Sequence, residues 1–311
     1  MKLIKPKAEL LLQQPGLEGV YKQIELAGRT CYKSIDKITE DSAKPFVDRM
    51  INSKHLAMLE HGTVYLAIPI TTNHAGFSEN HYRNNPYSKF KESYGLCMKD
   101  EYGDKCDCWC ITTNLRVLVE NGWLDDLQYI CEPTEYHEKR YTFRLTTSIG
   151  VTRELNRHRV NSIAEQSTRY CNYAKDKFGG EIIFCIPSWL NLKEGSYTWN
   201  EYFGDWRWID TSSPIEDQFV AQCFYAEKQY MNLIGKYWQP QQAREVLPLC
   251  TATEIIHTAF VSDWKHFFDL RYFGKTGAPH PNMVELAGLM AKEADKHGIW
   301  NELCNENIEK C

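Results

Sequence analysis

Apolar residues recur along this chain with two different periods, and the switches between them mark out its elements. From Arg140 to Val151 the residues Tyr141, Phe143, Leu145, Ile149 and Val151 alternate with polar neighbours. That period of two predicts a strand with one buried face. Leu3 to Leu12, Val64 to Ile70, Glu181 to Ile186 and Thr251 to Phe260 read as further strands, punctuated by Gln14-Pro15-Gly16 and by Pro187. Helical spacing takes over elsewhere. Val20, Ile24 and Ala27 give a stripe within Leu17 to Cys31. Phe46, Val47, Met50 and Ile51 give another within Asp41 to Asn52, with Pro45 in the first turn, where a missing amide costs little. A helix from Thr113 to Asn121 is predicted to close at Gly122. Pro214 opens a long one to about Tyr237, with Phe219, Cys223, Ala226, Tyr230 and Leu233 as its seam. Ser262 is placed to cap a helix running through Arg271, and a last amphipathic helix spans Pro281 to His297.

Two stretches break this rhythm. Between residues 71 and 139 a polar run, Asn80 to Ser93, is followed by Cys106-Asp107-Cys108-Trp109-Cys110. In a strand those three thiols share a face, yet C-x-C-x-C lacks the two-residue gaps of most zinc knuckles, so plain thiols are expected and no metal. From Tyr197 to Ser213 the chain is crowded with Tyr197, Trp199, Tyr202, Phe203, Trp206 and Trp208. Packing against the body or a neighbouring subunit suits such rings better than base stacking does.

Composition narrows the class. The chain has 311 residues, 25% of them charged, and a formal net charge of −5. An acidic protein with one basic island is a poor general nucleic-acid coat, which needs a broad positive surface. The start, Met1 to Lys7, lacks the apolar centre of a signal peptide, and no apolar run approaches a membrane span. A cytoplasmic protein is expected, with its 12 cysteines reduced.

The basic island is the chemistry. Four of the 13 arginines, Arg153, Arg157, Arg159 and Arg169, fall between Arg153 and Tyr170. Arginine grips phosphate and carboxylate with a planar fork and keeps its charge in any environment. Glu154 and Glu165 cannot neutralise all four, so an anionic ligand is the expected partner. Thr152 is placed to cap a short helix beginning near Arg153, on which Glu154, Arg157 and His158 share a face. Successive residues fan out by about 100° each, so Arg157, His158 and Arg159 suit a large ligand or two that meet.

Arg157-His158-Arg159, seven residues, Ser167, then Arg169-Tyr170 resembles the signature of the flavin-dependent thymidylate synthases. Ala164 and Thr168 stand where asparagine and glycine are usual. Two further blocks carry the resemblance. His55 to His61 is similar to the family's histidine-rich turn before a strand, with Ala57 replacing a hydroxyl residue. Arg244-Glu245-Val246-Leu247-Pro248 is similar to its nucleotide-binding helix, followed by His266 and Arg271; Phe260-Val261-Ser262 replaces a more polar turn.

Laid over the elements above, the resemblance implies an α/β (α+β) fold: a central mixed or antiparallel sheet flanked by helices, one domain over residues 1–311. Residues 71–139 then form an insertion and 197–213 an aromatic excursion. It implies reductive methylation of dUMP to dTMP, with methylenetetrahydrofolate as carbon donor, FAD as hydride carrier and NADPH as reductant, in a homotetramer. Glu154, Arg157, Glu165, Gln166, Ser167, Thr168, Arg169 and Arg244 are the implied dUMP contacts. His55, Ala57, Arg157, His158, Arg159, Glu165 and His266 are the implied flavin contacts, and Arg271 is the residue that activates the uracil ring. Ser167 has only arginines and a glutamate near it in sequence, so it is expected to touch ligand and not to attack it.

Two other classes fit the bare residues. A histidine phosphatase could use His158, although Arg159 stands where that family has glycine. A non-catalytic nucleotide or RNA binder would need only the basic island and its tyrosines.

Overall fold

The computed structural model describes residues 1–70, 81–99, 105–175, 179–204 and 209–304, with side chains for all of these except 94–99, 105 and 106. In chain order the elements are β1 (Lys2–Ile4), β2 (Lys7–Leu11), α1 (Gly16–Cys31), α2 (Ala43–Asn52), β3 (Thr63–Pro69), β4 (Lys89–Lys99), β5 (Lys105–Asn114), α3 (Leu115–Asn121), β6 (Arg140–Ser148), α4 (Ile149–Leu155), β7 (Ser162–Glu165), β8 (Ile183–Cys185), β9 (Gly195–Ser196), α5 (Trp199–Phe203), α6 (Ile215–Gly235), α7 (Pro240–Ala243), β10 (Ala252–Phe260), α8 (Val261–Arg271), α9 (Pro281–Lys296) and α10 (Trp300–Leu303). A 3-10 turn, Leu56–His61, leads into β3. No helix among the described residues is long and apolar enough to cross a membrane.

The central sheet is antiparallel, in the order β2-β6-β10-β7. Alternation in β6 sends Tyr141, Phe143 and Leu145 to one face, where they meet Trp264, Phe267 and Phe268 of α8 and Leu286 and Met290 of α9. Helix α1 lies on the opposite face, packing Ala27 against Ala164 and Ile256. Two smaller sheets flank this body. The order β8-β1-β9 shares a core with α6, and β3-β5-β4 shares one with α1, α2 and α3. Gly62 makes the second junction possible, since a Cβ there would lie 2.6 Å from Ile24 Cδ1.

Several expectations shift by a few residues, each for a local reason. The stretch Leu3 to Leu12 is two strands in two sheets, because Pro6 has no amide to give a ladder and the chain crosses over there. The polar run Asn80 to Ser93 is not all loop: it enters β4 at Lys89. The strand from Arg140 stops at Ser148, and Ser148, not Thr152, caps α4 by accepting from the Val151 amide. Phe260, not Ser262, is the N-cap residue of α8. Gly122 adopts the left-handed conformation that closes α3, as its position predicts. Cys108 and Cys110 are both buried on β5. The Cys106 side chain, Trp206, Trp208 and residues 71–80 lie outside the described residues.

One buried cation ties the small sheet to the large one. Arg140 opens β6 and is fully enclosed, which pushes its guanidinium down to about 10. Its Nη1 donates to the Glu60 carbonyl (3.1 Å) and Thr63 Oγ1 (3.2 Å), and its Nη2 donates to Ser162 Oγ (3.0 Å). These bonds join β6 to the 3-10 turn, β3 and β7. Arg140→Met keeps the length and removes all three, leaving buried acceptors unmet at a cost of about 1–3 kcal/mol each. Urea unfolding should show a loss of roughly 3 kcal/mol; an unchanged midpoint would mean that the junction is held by packing alone.

Candidate functional site

The geometry starts where β6 runs into α4 without a loop. Ile149 follows the last strand residue, so α4 is held against the sheet and its end is aimed by it. The Thr152 hydroxyl lies 3.0 Å from both the Ile149 carbonyl and Glu165 Oε1, sharing its proton between them and stitching α4 to β7. After Leu155 the backbone continues in tight turns: the amides of Arg157, His158 and Asn161 donate to the carbonyls of Glu154, Leu155 and His158. The turns throw Arg157 and Arg159 out as exposed side chains and leave His158 half-buried between them.

Arg271, at the last turn of α8, comes to meet this segment. Its Nη1 donates to Glu154 Oε2 at 2.9 Å and its Nε to His158 Nε2 at 3.3 Å. A ring nitrogen that accepts from a guanidinium must be unprotonated. Burial, then the Arg271 charge, then His266 push His158 down to about 4, so the imidazole is neutral at physiological pH. The His266 ring stands 6.2 Å away and the Phe267 ring 5.2 Å. His158, His266 and Arg271 border a cavity of about 260 Å³, which Arg157, Arg159, Asn161, Asp263 and Leu270 also line. The site therefore offers three arginine forks, one neutral histidine and few acceptors. It is built to receive carbonyl or phosphate oxygens.

A second cluster opens separately. Arg244, in the 3-10 turn after α7, donates through Nη1 to Thr168 Oγ1 at 3.0 Å. Arg169 is exposed, with its guanidinium 5.5 Å from the Tyr170 ring, and Tyr170 leans on Tyr32 at 5.7 Å. The Ser167 amide donates to the Cys31 carbonyl at 2.8 Å, which anchors the loop to the end of α1. Ser167 Oγ accepts from the Arg169 amide, and no imidazole hydrogen-bonds it among the described residues.

Not every expected residue joins one of these clusters. Gln166 turns inward: its amide donates to the Tyr173 hydroxyl at 3.2 Å, and the residue lines a different cavity, of about 410 Å³, with Lys2, Lys7, Lys33 and Arg144. Glu165 sits on β7 between the two clusters; burial raises its carboxyl above the usual range, against hydrogen bonds from Thr152, Thr253 and Asn156. His55 and Ala57 are exposed on the 3-10 turn and line no part of the 260 Å³ cavity. Asn161, Asp263 and Leu270 carry no signature in sequence, because a loop residue's place in a cavity leaves no period to read. Among the described residues no group of three His, Cys, Asp or Glu side chains is arranged to hold a metal ion.

Comparison with known proteins adds an independent reading. Residues 133–297, more than half of the chain, match the family model described as thymidylate synthase complementing protein. Among solved structures the chain is similar to the UMP/dUMP methylase PolB of Streptomyces cacaoi bound with 5-Br dUMP, at 16% identity and a TM-score of 0.42, over 98% of this chain and 94% of that one. It is similar also to Thymidylate Synthase X of Helicobacter pylori, solved with FAD and dUMP, at 14% identity and a TM-score of 0.39, over 96% of this chain and 99% of that one. No curated protein matches.

The neutral histidine is open to direct titration. In the ligand-free protein the His158 ring resonances should show no protonation above about pH 5, and Arg271→Met should move the midpoint up from about 4 without reaching 6.5, since burial is the larger cause. The unfolded chain takes up this proton near pH 6.5 and the folded one only near 4, so His158 lowers stability as pH falls through that window and adds no pH dependence above it. A wild-type midpoint near 6.5 would contradict the geometry.

Proposed function

The chain belongs to the thymidylate synthase complementing protein family, and from that premise we propose that it makes dTMP by reductive methylation of dUMP, with FAD, NADPH and methylenetetrahydrofolate. The observation that carries the reading is the meeting of His158 with Arg271, itself held by Glu154, at a cavity flanked by Arg157 and Arg159, beside a separate arginine loop suited to phosphate.

The residues present suit a flavin. Arg157 and Arg159 stand free to neutralise a pyrophosphate, and His158, held uncharged, can lie against a neutral ring system. His266 borders the same cavity, while His55, Ala57 and Glu165 lie outside it, on the 3-10 turn and β7, and would meet parts of a flavin that extend beyond it. Bound flavin supplies hydride transfer, and NADPH its reduction. The chain's own part is placement and charge. Arg271 is a fixed cation, already aligned by Glu154, that stabilises negative charge developing on the uracil ring. Arg169 and Arg244 hold the phosphate by charge-assisted forks, with Ser167 and Thr168 as neutral donors. No enzyme nucleophile takes part. The histidine that a phosphatase would need is already engaged at Nε2 by Arg271.

A cavity of about 260 Å³ is below the ~300–1,000 Å³ that even drug-sized ligands occupy. One chain therefore supplies parts of a site, and the homotetramer completes it by bringing the Arg271 cavity of one copy to the Ser167–Arg169 loop of another. In this reading residues 71–139 are an insertion into a single cytoplasmic domain.

Chromatographic assay of dTMP from dUMP, methylenetetrahydrofolate and NADPH, with FAD added, tests the proposal. Product should form, and Arg271→Ala should lower kcat/KM by about 10²–10³ while dUMP still binds. Wild type that forms no dTMP, or an Arg271→Ala enzyme within a factor of three of it, would refute the assignment.

A further inference from the structure

Behind the cavity lies a histidine that the proposed reaction does not use. His257, on β10, is completely buried against the rings of Trp264 (4.5 Å) and Phe267 (6.4 Å). Its Nε2 is 2.7 Å from Asn161 Nδ2. An amide nitrogen only donates, so Nε2 accepts and the ring proton sits on Nδ1, which is buried with no partner among the described residues. An unmet buried donor is a cost that phenylalanine, filling the same space between aromatic rings, would not carry. What the histidine provides in return is the orientation of one amide.

With Nδ2 engaged by His257, the oxygen is the unengaged end of the Asn161 amide, on a residue that lines the cavity, and it accepts no hydrogen bond among the described residues. The rest of the wall is rich in donors: Arg157, Arg159 and Arg271. Asp263 is the other acceptor, but it is a carboxylate and its Oδ2 is buried, with no partner among the described residues. A wall of arginine donors with the neutral Asn161 oxygen set into it, beside the carboxylate of Asp263, complements an imide, the C(=O)–NH–C(=O) edge in which one donor lies between two acceptors. We infer that Asn161 is a specificity residue of this cavity, its amide oxygen placed to accept from the imide N–H of the bound heterocycle, and that His257 is the positioning residue that holds it so. The inference rests on the proposed function, in which both candidate heterocycles, the uracil of dUMP and the isoalloxazine of FAD, carry such an imide at N3.

Binding of the intact oligomer to dUMP, FAD and their N3-methylated analogues tests this. Methylation removes the imide proton and leaves both carbonyls. Wild type should bind one of the methylated analogues about tenfold more weakly than its parent, and the analogue that suffers identifies which heterocycle sits against Asn161. Asn161→Ala, a change in a half-exposed loop residue, should weaken the parent ligand and bind parent and analogue alike. His257→Phe should lose the discrimination, whereas His257→Gln, whose amide oxygen can still accept from Asn161, should keep most of it. A merely structural role for His257 would change affinity or stability and leave the parent-to-analogue ratio untouched. Should wild type bind both parents and both analogues equally, or Asn161→Ala discriminate as wild type does, the inference falls and the proposed function stands. Should wild type bind neither parent, both fall.

Discussion

The contact between Glu154 and Arg271 joins residues 117 positions apart and fixes how the guanidinium faces the cavity that Arg271 lines. It links the last turn of α4 to the last turn of α8, and both helices emerge directly from neighbouring strands, β6 and β10, of the central sheet. Partly exposed ion pairs are worth only about 0–1 kcal/mol, so stability is a weak reason for this one. Its consequence is positional. A guanidinium tied to a carboxylate on one side must present its remaining edge elsewhere, and here that edge meets the neutral ring of His158. The apolar layer beneath, with Phe267 and Phe268 fully buried, fixes where α8 lies and so where the arginine can reach.

Charge and neutrality are set by opposite means at neighbouring positions. Arg157 and Arg159 stay exposed to solvent because the turns after α4 push them outward. His158 and His257 lose their protons because the same turns and the sheet enclose them, with His158 beside an arginine. One short segment thus offers cations to the outside and an uncharged imidazole to the inside, an arrangement that suits a ligand with an anionic tail and a neutral ring. The buried Arg140 serves a different end. It is committed to carbonyl and hydroxyl groups of three elements and holds the 3-10 turn that carries His55 and Ala57 against the main sheet.

Much of this was legible from residue order. The period-two run Arg140 to Val151 marked the central strand, and the arginine cluster marked turns that border a cavity, because both signals are local. Register was harder. Whether Thr152 or Ser148 caps α4 depends on where the β6 ladder with β10 ends, and that pairing spans about a hundred residues of intervening chain. Pro6 divided a strand for the same reason, since sheet membership is a long-range property. The inward turn of Gln166 toward Tyr173, and the pairing of Asn161 with His257, could not be read at all: each joins side chains whose meeting is decided by packing. The separation of the Arg271 cavity from the Arg169 loop likewise has no trace in a linear motif that sets their residues side by side.

That separation matters most, because the proposed function requires each chain to carry two partial sites. Co-assembly of Arg271→Ala chains with Arg169→Ala chains tests it most directly. If the cavity of one copy works with the loop of another, mixed oligomers recovered through two different tags contain some sites with both arginines intact. They should then form dTMP at a substantial fraction of the wild-type rate, although each variant alone is nearly inactive. Mixed oligomers of confirmed composition that are no more active than either parent would contradict the account.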